Sequence, residues 1–308
     1  MKTSGAGPER VCTACGAHEP IEAGRPVWPV GVPCRGCGAV VPEHDGIPLF
    51  APALAYADAG FDLAAFDRLA RIEAGHFWFV ARNELIVGLA ERHFPNARSY
   101  LEIGCGNGAV LGALARSRRW ERLVATDLHP AGLAHARQRL TPAVELAQMD
   151  ATVIPARAAF ELCGAYDIIE HVPDDEAALR AMRASTAPGG GAIIAVPQHP
   201  ALWSRADEIG KHQRRYRRGE LEAKLERSGY RVVFSSSYTV VLLPLMALNR
   251  LKARLLPADA DADIFRELDV GPGLNRAFKI LLRTEVRLTL AGMRWPAGGS
   301  RVVVAKAV

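Results

Sequence analysis

From Tyr100 onward, short apolar runs alternate with segments whose apolar positions recur every three or four residues. Tyr100–Ile103, Leu123–Thr126, Val144–Gln148, Phe160–Tyr166, Ala192–Val196, Arg231–Ser235 and Ser300–Ala305 read as strands. Helical patterns separate them: Ala109–Arg116, Pro130–Leu140, Glu176–Ser185 and Leu221–Ser228. Pro130 suits a first helical turn. Strands alternating with helices predict an α/β fold, a doubly wound, mostly parallel seven-stranded sheet covered on both faces. Residues 51–98 are Ala-rich at first and then helical, with Leu85 and Leu89 at spacing four, and read as a linker and cap helices before the main domain at 99–308. Residues 236–299 exceed what the fold needs. They carry an apolar helix over Val240–Leu256, an acidic loop over Asp259–Asp269 and a second helix over Leu274–Met293. On that helix Arg276, Lys279, Arg283 and Arg287 share one face, which is either the solvated side of a lid or a surface for an anionic membrane.

Composition narrows the picture a little. The 308 residues suffice for one large α/β domain plus extra pieces, and 49% hydrophobic content is ordinary for a globular chain. A net charge of +5 permits an anionic partner without requiring one. Residues Met1–Arg10 contain no apolar signal-peptide core. The longest apolar run, Val240–Leu248, is broken by Pro244 and falls short of the roughly 20 residues of a membrane span. The expected location is the cytoplasm. The sequence assigns no oligomeric state.

The six cysteines divide into four and two. Cys12, Cys15, Cys34 and Cys37 form C-x2-C-x18-C-x2-C, a zinc-site spacing in which four thiolates close a tetrahedral structural site. Two disulfides are the alternative, disfavoured without a secretory signal. So small a module, residues 1–50, builds little core, and the metal is expected to supply folding free energy. Between the knuckles, Gly16–Pro33 holds a single basic residue, Arg25, which argues against phosphate binding. Cys105 and Cys163 read as packing residues.

The chemistry centres on Leu101-Glu-Ile-Gly-Cys-Gly-Asn-Gly-Ala109, a strand, a glycine turn and a helix start. Without Cβ atoms at Gly104, Gly106 and Gly108 the backbone can approach a ligand closely. A nucleotide-like ligand fits across the end of such a strand. Asp127 ends the next strand, 21 residues after Gly106, where an acid takes ribose hydroxyls. Glu102 lies two residues before the first glycine. A carboxylate there repels a pyrophosphate and favours a cationic ligand.

At these residues the chain resembles the class I S-adenosylmethionine-dependent methyltransferases, whose first motif is acid-x-Gly-x-Gly-x-Gly. The resemblance implies that Glu102, Gly104, Cys105, Gly106, Asn107, Gly108, Asp127 and the adjoining Leu128 hold S-adenosylmethionine. It implies that Asp150 and Ala151, after the third strand, contact the adenine. It places Asp167-Ile-Ile-Glu-His171 beside the sulfonium and the acceptor. Ala187-Pro-Gly-Gly190 resembles the family's turn into the fifth strand, and the last strand is expected to insert antiparallel. Cys37-Gly followed by Pro42-Glu-His-Asp-Gly-Ile-Pro48 resembles the small zinc ribbon found at the start of some methyltransferases and as a free activator of others.

A hydroxyl acceptor benefits from a base, and His171 suits that role in residue type and place. His212 is the second candidate, with Tyr216 beside it. Residues 198–218 form a tract of aromatics, histidines and arginines where such enzymes build acceptor pockets. There His199, His212 and Tyr216 suit acceptor hydroxyls and Arg214 or Arg215 an anionic group. Phe77, Trp78 and Phe79 either line the pocket or pin their helix, and Arg82 or Asn83 suits the methionine end. The expected function is methylation of an O or N nucleophile on a small-molecule, sugar or lipid-linked acceptor, with structural Zn2+. Peripheral membrane contact would run through 236–299. Two rival readings are an RNA methyltransferase, which the poverty of basic residues in the ribbon opposes, and a non-catalytic cofactor-binding activator.

Overall fold

The computed structural model describes residues 7–55, 63–255 and 270–308, so the acidic loop expected over Asp259–Asp269 lies outside the described residues. Two small hairpins open the chain: β1 (Glu9–Val11) with β2 (His18–Pro20), and β3 (Glu43–His44) with β4 (Ile47–Pro48). Helices α1 (Leu63–Ile72) and α2 (Phe77–His93) follow. The start of α2 is capped by His76, whose Nδ1 accepts from Trp78 N at 3.3 Å.

The alternating section follows as β5 (Ser99–Ile103), α3 (Ala109–Ser117), β6 (Arg122–Asp127), α4 (Pro130–Arg139), β7 (Val144–Gln148), β8 (Ala156–Arg157) and β9 (Phe160–Tyr166). It continues through α5 (Asp175–Ser185), β10 (Thr186–Pro197), α6 (Arg205–Ile209), α7 (Glu220–Arg227) and β11 (Tyr230–Tyr238). Helices α8 (Leu243–Leu255) and α9 (Pro272–Leu290) precede β12 (Ser300–Ala307). The seven-stranded sheet has the order β11-β12-β10-β9-β5-β6-β7, with β12 antiparallel between β10 and β11. It is the Rossmann-like, mostly parallel sheet that the alternation predicts.

Two-residue alternation along the strands builds two cores, one on each face. Ile193, Ala195, Val302 and Val304 face the side of α2 and α3, while Ile194, Val196 and Val303 join the cluster containing α5 and α7 residues. Cys105 and Cys163 are buried packing residues in these two clusters.

Several boundaries differ from the sequence reading: β11 runs on to Tyr238, α9 spans Pro272–Leu290, and two further shifts have a clear physical cause. The Ala187-Pro-Gly-Gly stretch is not a separate turn: it lies inside β10, whose pairing with β9 shifts register between Thr186 and Gly191. Side chains would not fit there, because a Cβ on Gly190 would sit 2.5 Å from Glu161 O and one on Gly191 2.2 Å from Ala305 O. Helix α8 starts at Leu243 rather than Val240. Pro244 then falls in its first turn, where no N–H is required, and the free Val240 and Val241 amides donate to Glu285 at 2.8 and 3.0 Å.

Helix α9 packs on α2. Leu290 lies over Gly88, where a Cβ would come within 2.4 Å, and Phe77 meets Phe278 edge-on at 5.2 Å. Arg283 reaches Glu84 at 2.9 Å. Among the described residues no helix is long and apolar enough to cross a membrane.

The amino-terminal module does not stand apart. β1 pairs antiparallel with β8, and Trp28 Nε1 donates to Pro155 O at 2.8 Å. Ile21, Val27 and Trp28 are buried in the same cluster as Leu101, Ile103 and Val124 of the main sheet. The sequence predicts a module with little core; its buried side chains belong to the core of the main sheet. Its apolar side chains complete the core beside β7.

Candidate functional site

The strands β5, β6, β7 and β9 all end on one edge, and the turns there carry the residues that the sequence singles out. After Ile103 the chain makes a tight turn with Gly104, Gly106 and Gly108 all in the left-handed region, at φ of 67°, 50° and 71°. A Cβ on Gly104 would lie 2.2 Å from Ile168, so the turn after β9 presses directly against it. The glycine turn is a cradle that only glycine can form.

Asp127 closes the cradle. Its two oxygens accept from Gly106 N at 2.8 Å and His129 N at 2.9 Å. Burial pushes its carboxyl pKa up, against the pull of those amides. Asn107 Nδ2 donates to Phe66 O at 3.0 Å, which fastens α1 over the turn. The buried Asn107 Oδ1 and His129 Nδ1 have no partner. Polar atoms left open around a glycine cradle fit a polar ligand laid across it.

Glu102 is buried beneath the turn. The Tyr100 hydroxyl donates to it at 3.1 Å, and desolvation pushes its carboxyl up to about 8. Asp167, in a left-handed conformation at φ 56°, accepts from Arg82 at 2.7 Å. The Arg82 guanidinium lies over Trp78 and Phe79 at 4.7 and 5.3 Å from the ring centroids. Of the aromatic triplet, Phe77 therefore pins the helices together, while Trp78 and Phe79 hold the arginine. At the end of β7, Asp150 accepts from Thr152 N at 2.9 Å, and Ala151 is half-buried. Gln148 Nε2 donates to Leu128 O at 3.0 Å, joining that turn to the end of β6.

Next to this edge the structure brings together His171 and His212, whose rings meet edge-on at 4.7 Å and 90°. His212 Nδ1 lies 2.8 Å from Asp207 Oδ1. Asp207 is held in turn by Arg215 at 2.7 Å and by Ser204 N at 2.8 Å, and its carboxyl is lowered to about 2 by His212 and Arg215 despite burial. Burial and the neighbouring His212 hold the His171 imidazole down at about 3, so it is neutral near pH 7.

Three residues of the expected acceptor tract turn out to be structural. Tyr216 is fully buried and its hydroxyl donates to Asp175 at 2.7 Å, which removes it from the candidate catalytic group. Arg214 is committed to Asp175 and Pro173 O, at 3.0 and 2.7 Å. Arg215 is committed to Asp207, so neither arginine is open to an anion. Asp207 was not expected from the sequence. Its signal was available in the Ser204-x-x-Asp207 capping box, which places it at the head of α6.

The four amino-terminal cysteines gather in one cluster, with Sγ atoms 3.8 Å apart in the pairs Cys12–Cys37 and Cys15–Cys34. Thiolates about 2.3 Å from a tetrahedral ion lie about 3.8 Å from one another, whereas bonded sulfurs lie about 2.05 Å apart. The donor set and spacing fit zinc.

Comparison with known proteins agrees with this geometry. Residues 101–190 match the family model of a methyltransferase domain. A trans-aconitate 2-methyltransferase of Variovorax paradoxus is 36% identical over 112 residues, covering 36% of this chain and 43% of its own. A ubiquinone biosynthesis O-methyltransferase of Stutzerimonas stutzeri is 30% identical over 114 residues, covering 35% of this chain and 48% of its own. The chain thus spans less than half the length of these curated relatives. A chain of the complex between a Haloferax volcanii methyltransferase activator and a methyltransferase superposes with a TM-score of 0.50 at 16% identity, covering 79% of this chain and 94% of that one. That likeness is one of fold.

Proposed function

We propose that this chain, whose residues 101–190 form a methyltransferase domain, moves a methyl group from S-adenosylmethionine to an oxygen or nitrogen of a small-molecule, sugar or lipid-linked acceptor. The observation that carries the acceptor side is the pair His171–His212, braced by Asp207, next to the glycine cradle. The cofactor supplies an activated methyl on a sulfonium. Asp127 would take the ribose hydroxyls with oxygens already aimed by two backbone amides, and Asp150 with Ala151 would meet the adenine. Asp167 would offer negative charge to the cationic methionine end, and Glu102, pushed up to about 8 by burial, would ionise only with that cation beside it. Gly104 to Gly108, Cys105 and Asn107 among them, supply close backbone approach, with Leu128 alongside. Methyl transfer needs alignment of the nucleophile and exclusion of water, and α1 with Phe66 already covers the cradle.

His212 is the group assigned to take the acceptor's proton, and His171, held neutral at about 3 by burial, would position the acceptor beside it. Replacing His212 by alanine should lower kcat by about 100- to 10,000-fold, with the affinity for S-adenosylmethionine unchanged. Labelled S-adenosylmethionine incubated with acceptor pools gives the turnover and the product; titration calorimetry gives the affinity. Full turnover in the variant removes His212 from the chemistry.

We also assign one structural zinc to Cys12, Cys15, Cys34 and Cys37, on the sulfur spacing described above. A second observation bears on the source of the acceptor. Leu245 and Leu248 of α8 and Leu274, Ile280 and Leu281 of α9 are exposed, beside the exposed Arg276 and Arg287. Apolar side chains next to cations suit the surface of an anionic bilayer, which favours a lipid-linked acceptor. The protein should sediment with vesicles containing phosphatidylserine and much less with neutral ones. Ile280→Asp should abolish the difference, and equal sedimentation with both vesicle types would remove the membrane reading.

A further inference from the structure

Glu170 has both carboxyl oxygens fully buried and without a hydrogen-bond donor. Buried carboxyls are ordinarily paired or bound to a cation. Around it stand His171, its neighbour in the turn after β9, and His212 from the loop after α6. One ligand atom from each of Glu170, His171 and His212 lies within 4.8 Å of the others. The three come from two separate loops, and folding alone brings them together.

His212 is braced as metal-binding histidines are, with the ring anchored so that one nitrogen is aimed. His212 Nδ1 meets Asp207 Oδ1 at 2.8 Å, which leaves Nε2 as the donor. Asp207 is fixed by Arg215 and Ser204 and cannot swing away. The His171 ring meets the His212 ring edge-on at 4.7 Å, against the loop that carries His212. The backbone of that loop is tied to Glu170 as well, through Gln213 N donating to Glu170 O at 2.9 Å.

We propose that Glu170, His171 and His212 bind one divalent transition-metal ion, at a site separate from the four-cysteine cluster. Two imidazoles and one carboxylate suit manganese, iron(II), cobalt or zinc and leave coordination positions open to an oxygen ligand. Glu170 then gains the partner its burial demands. The site stands on its own geometry; its use, holding an acceptor oxygen beside the glycine cradle, rests on the methyl-transfer reading above.

The test uses the full chain loaded with a single equivalent of zinc, which the four thiolates take first, titrated with Mn2+ by calorimetry and by electron paramagnetic resonance. Manganese prefers oxygen and nitrogen ligands to thiolates. One Mn2+ per chain is expected. Glu170→Gln and His212→Ala should each abolish binding, and Asp207→Asn should weaken it by about 10- to 100-fold. Co2+ should bind at the same stoichiometry with weak visible bands and no new thiolate charge-transfer band. The proposal is overturned if zinc-loaded protein takes up no second ion at millimolar Mn2+ or Co2+, or if His212→Ala binds Mn2+ as the unaltered protein does. His212→Ala, at a half-buried loop position, keeps the test valid should Glu170→Gln misfold. Affinity for S-adenosylmethionine is measured on the same samples without metal, so failure of the cation site and failure of the methyl-donor assignment give different results.

Discussion

Asp127→Ala should weaken S-adenosylmethionine binding by about 100-fold or more, the loss of two or so charge-assisted hydrogen bonds at a buried site. The carboxylate has two jobs. In the structure its oxygens hold the Gly106 and His129 amides, and so fix the shape of the cradle. With the donor bound, the same oxygens would face the ribose hydroxyls. Removing them costs contacts to the ligand and also leaves two main-chain N–H groups without acceptors. Asp127→Asn keeps one carbonyl oxygen and should lose less than the alanine variant. Titration calorimetry on both variants, with the melting temperature as a check on folding, separates the two contributions. Unchanged affinity in the alanine variant would sink the ribose assignment.

Removing zinc should have the second large effect, and on a different part of the molecule. Structural zinc contributes on the order of 10 kcal/mol to small cysteine-ligated domains, and the four cysteines lie outside the buried cluster that holds Ile21, Val27 and Trp28. Elemental analysis should find about one tightly held zinc per chain. After chelation the amides of β1 and β8 should lose hydrogen-exchange protection. Val11 N, which donates to Pro155 O at 3.0 Å, is a direct reporter. The central strands β5 and β9 should stay protected, because their pairing does not involve the four clustered cysteines. A metal-free protein with protection intact throughout would refute the zinc assignment.

The sheet was legible in the sequence because its signals are local. Val144–Gln148 and Phe160–Tyr166 are strands over the residues their apolar runs mark. The glycine turn announces itself because few other residues tolerate its dihedral angles. Residues 198–218 were read less well. Arg214, Arg215 and Tyr216 look like a solvated or ligand-binding run, yet each is paired with an acid far or near in the chain, Asp175 or Asp207. Hydrophobic periodicity reports which face is buried; it carries no information on which polar partner waits there. The same limit hid Asp207 behind His212 and Phe66 above the cradle, since both contacts exist only once distant segments meet. The ribbon's place was hidden for a related reason. Trp28 and Val27 look like scant core for forty residues, and only the assembled chain shows them filling the cluster beside β7.

The pairing of β1 with β8 has a thermodynamic consequence. Strand β8 begins six residues after Asp150, so the ribbon clamps the far end of the segment that would meet the adenine. Two ligands that each order the same segment are coupled, and such coupling is reciprocal. Whatever factor bound zinc adds to the affinity for the methyl donor, the bound donor must add to the retention of zinc. Scarcity of the metal would then appear first as a raised half-saturation for S-adenosylmethionine, while the sheet itself stays folded.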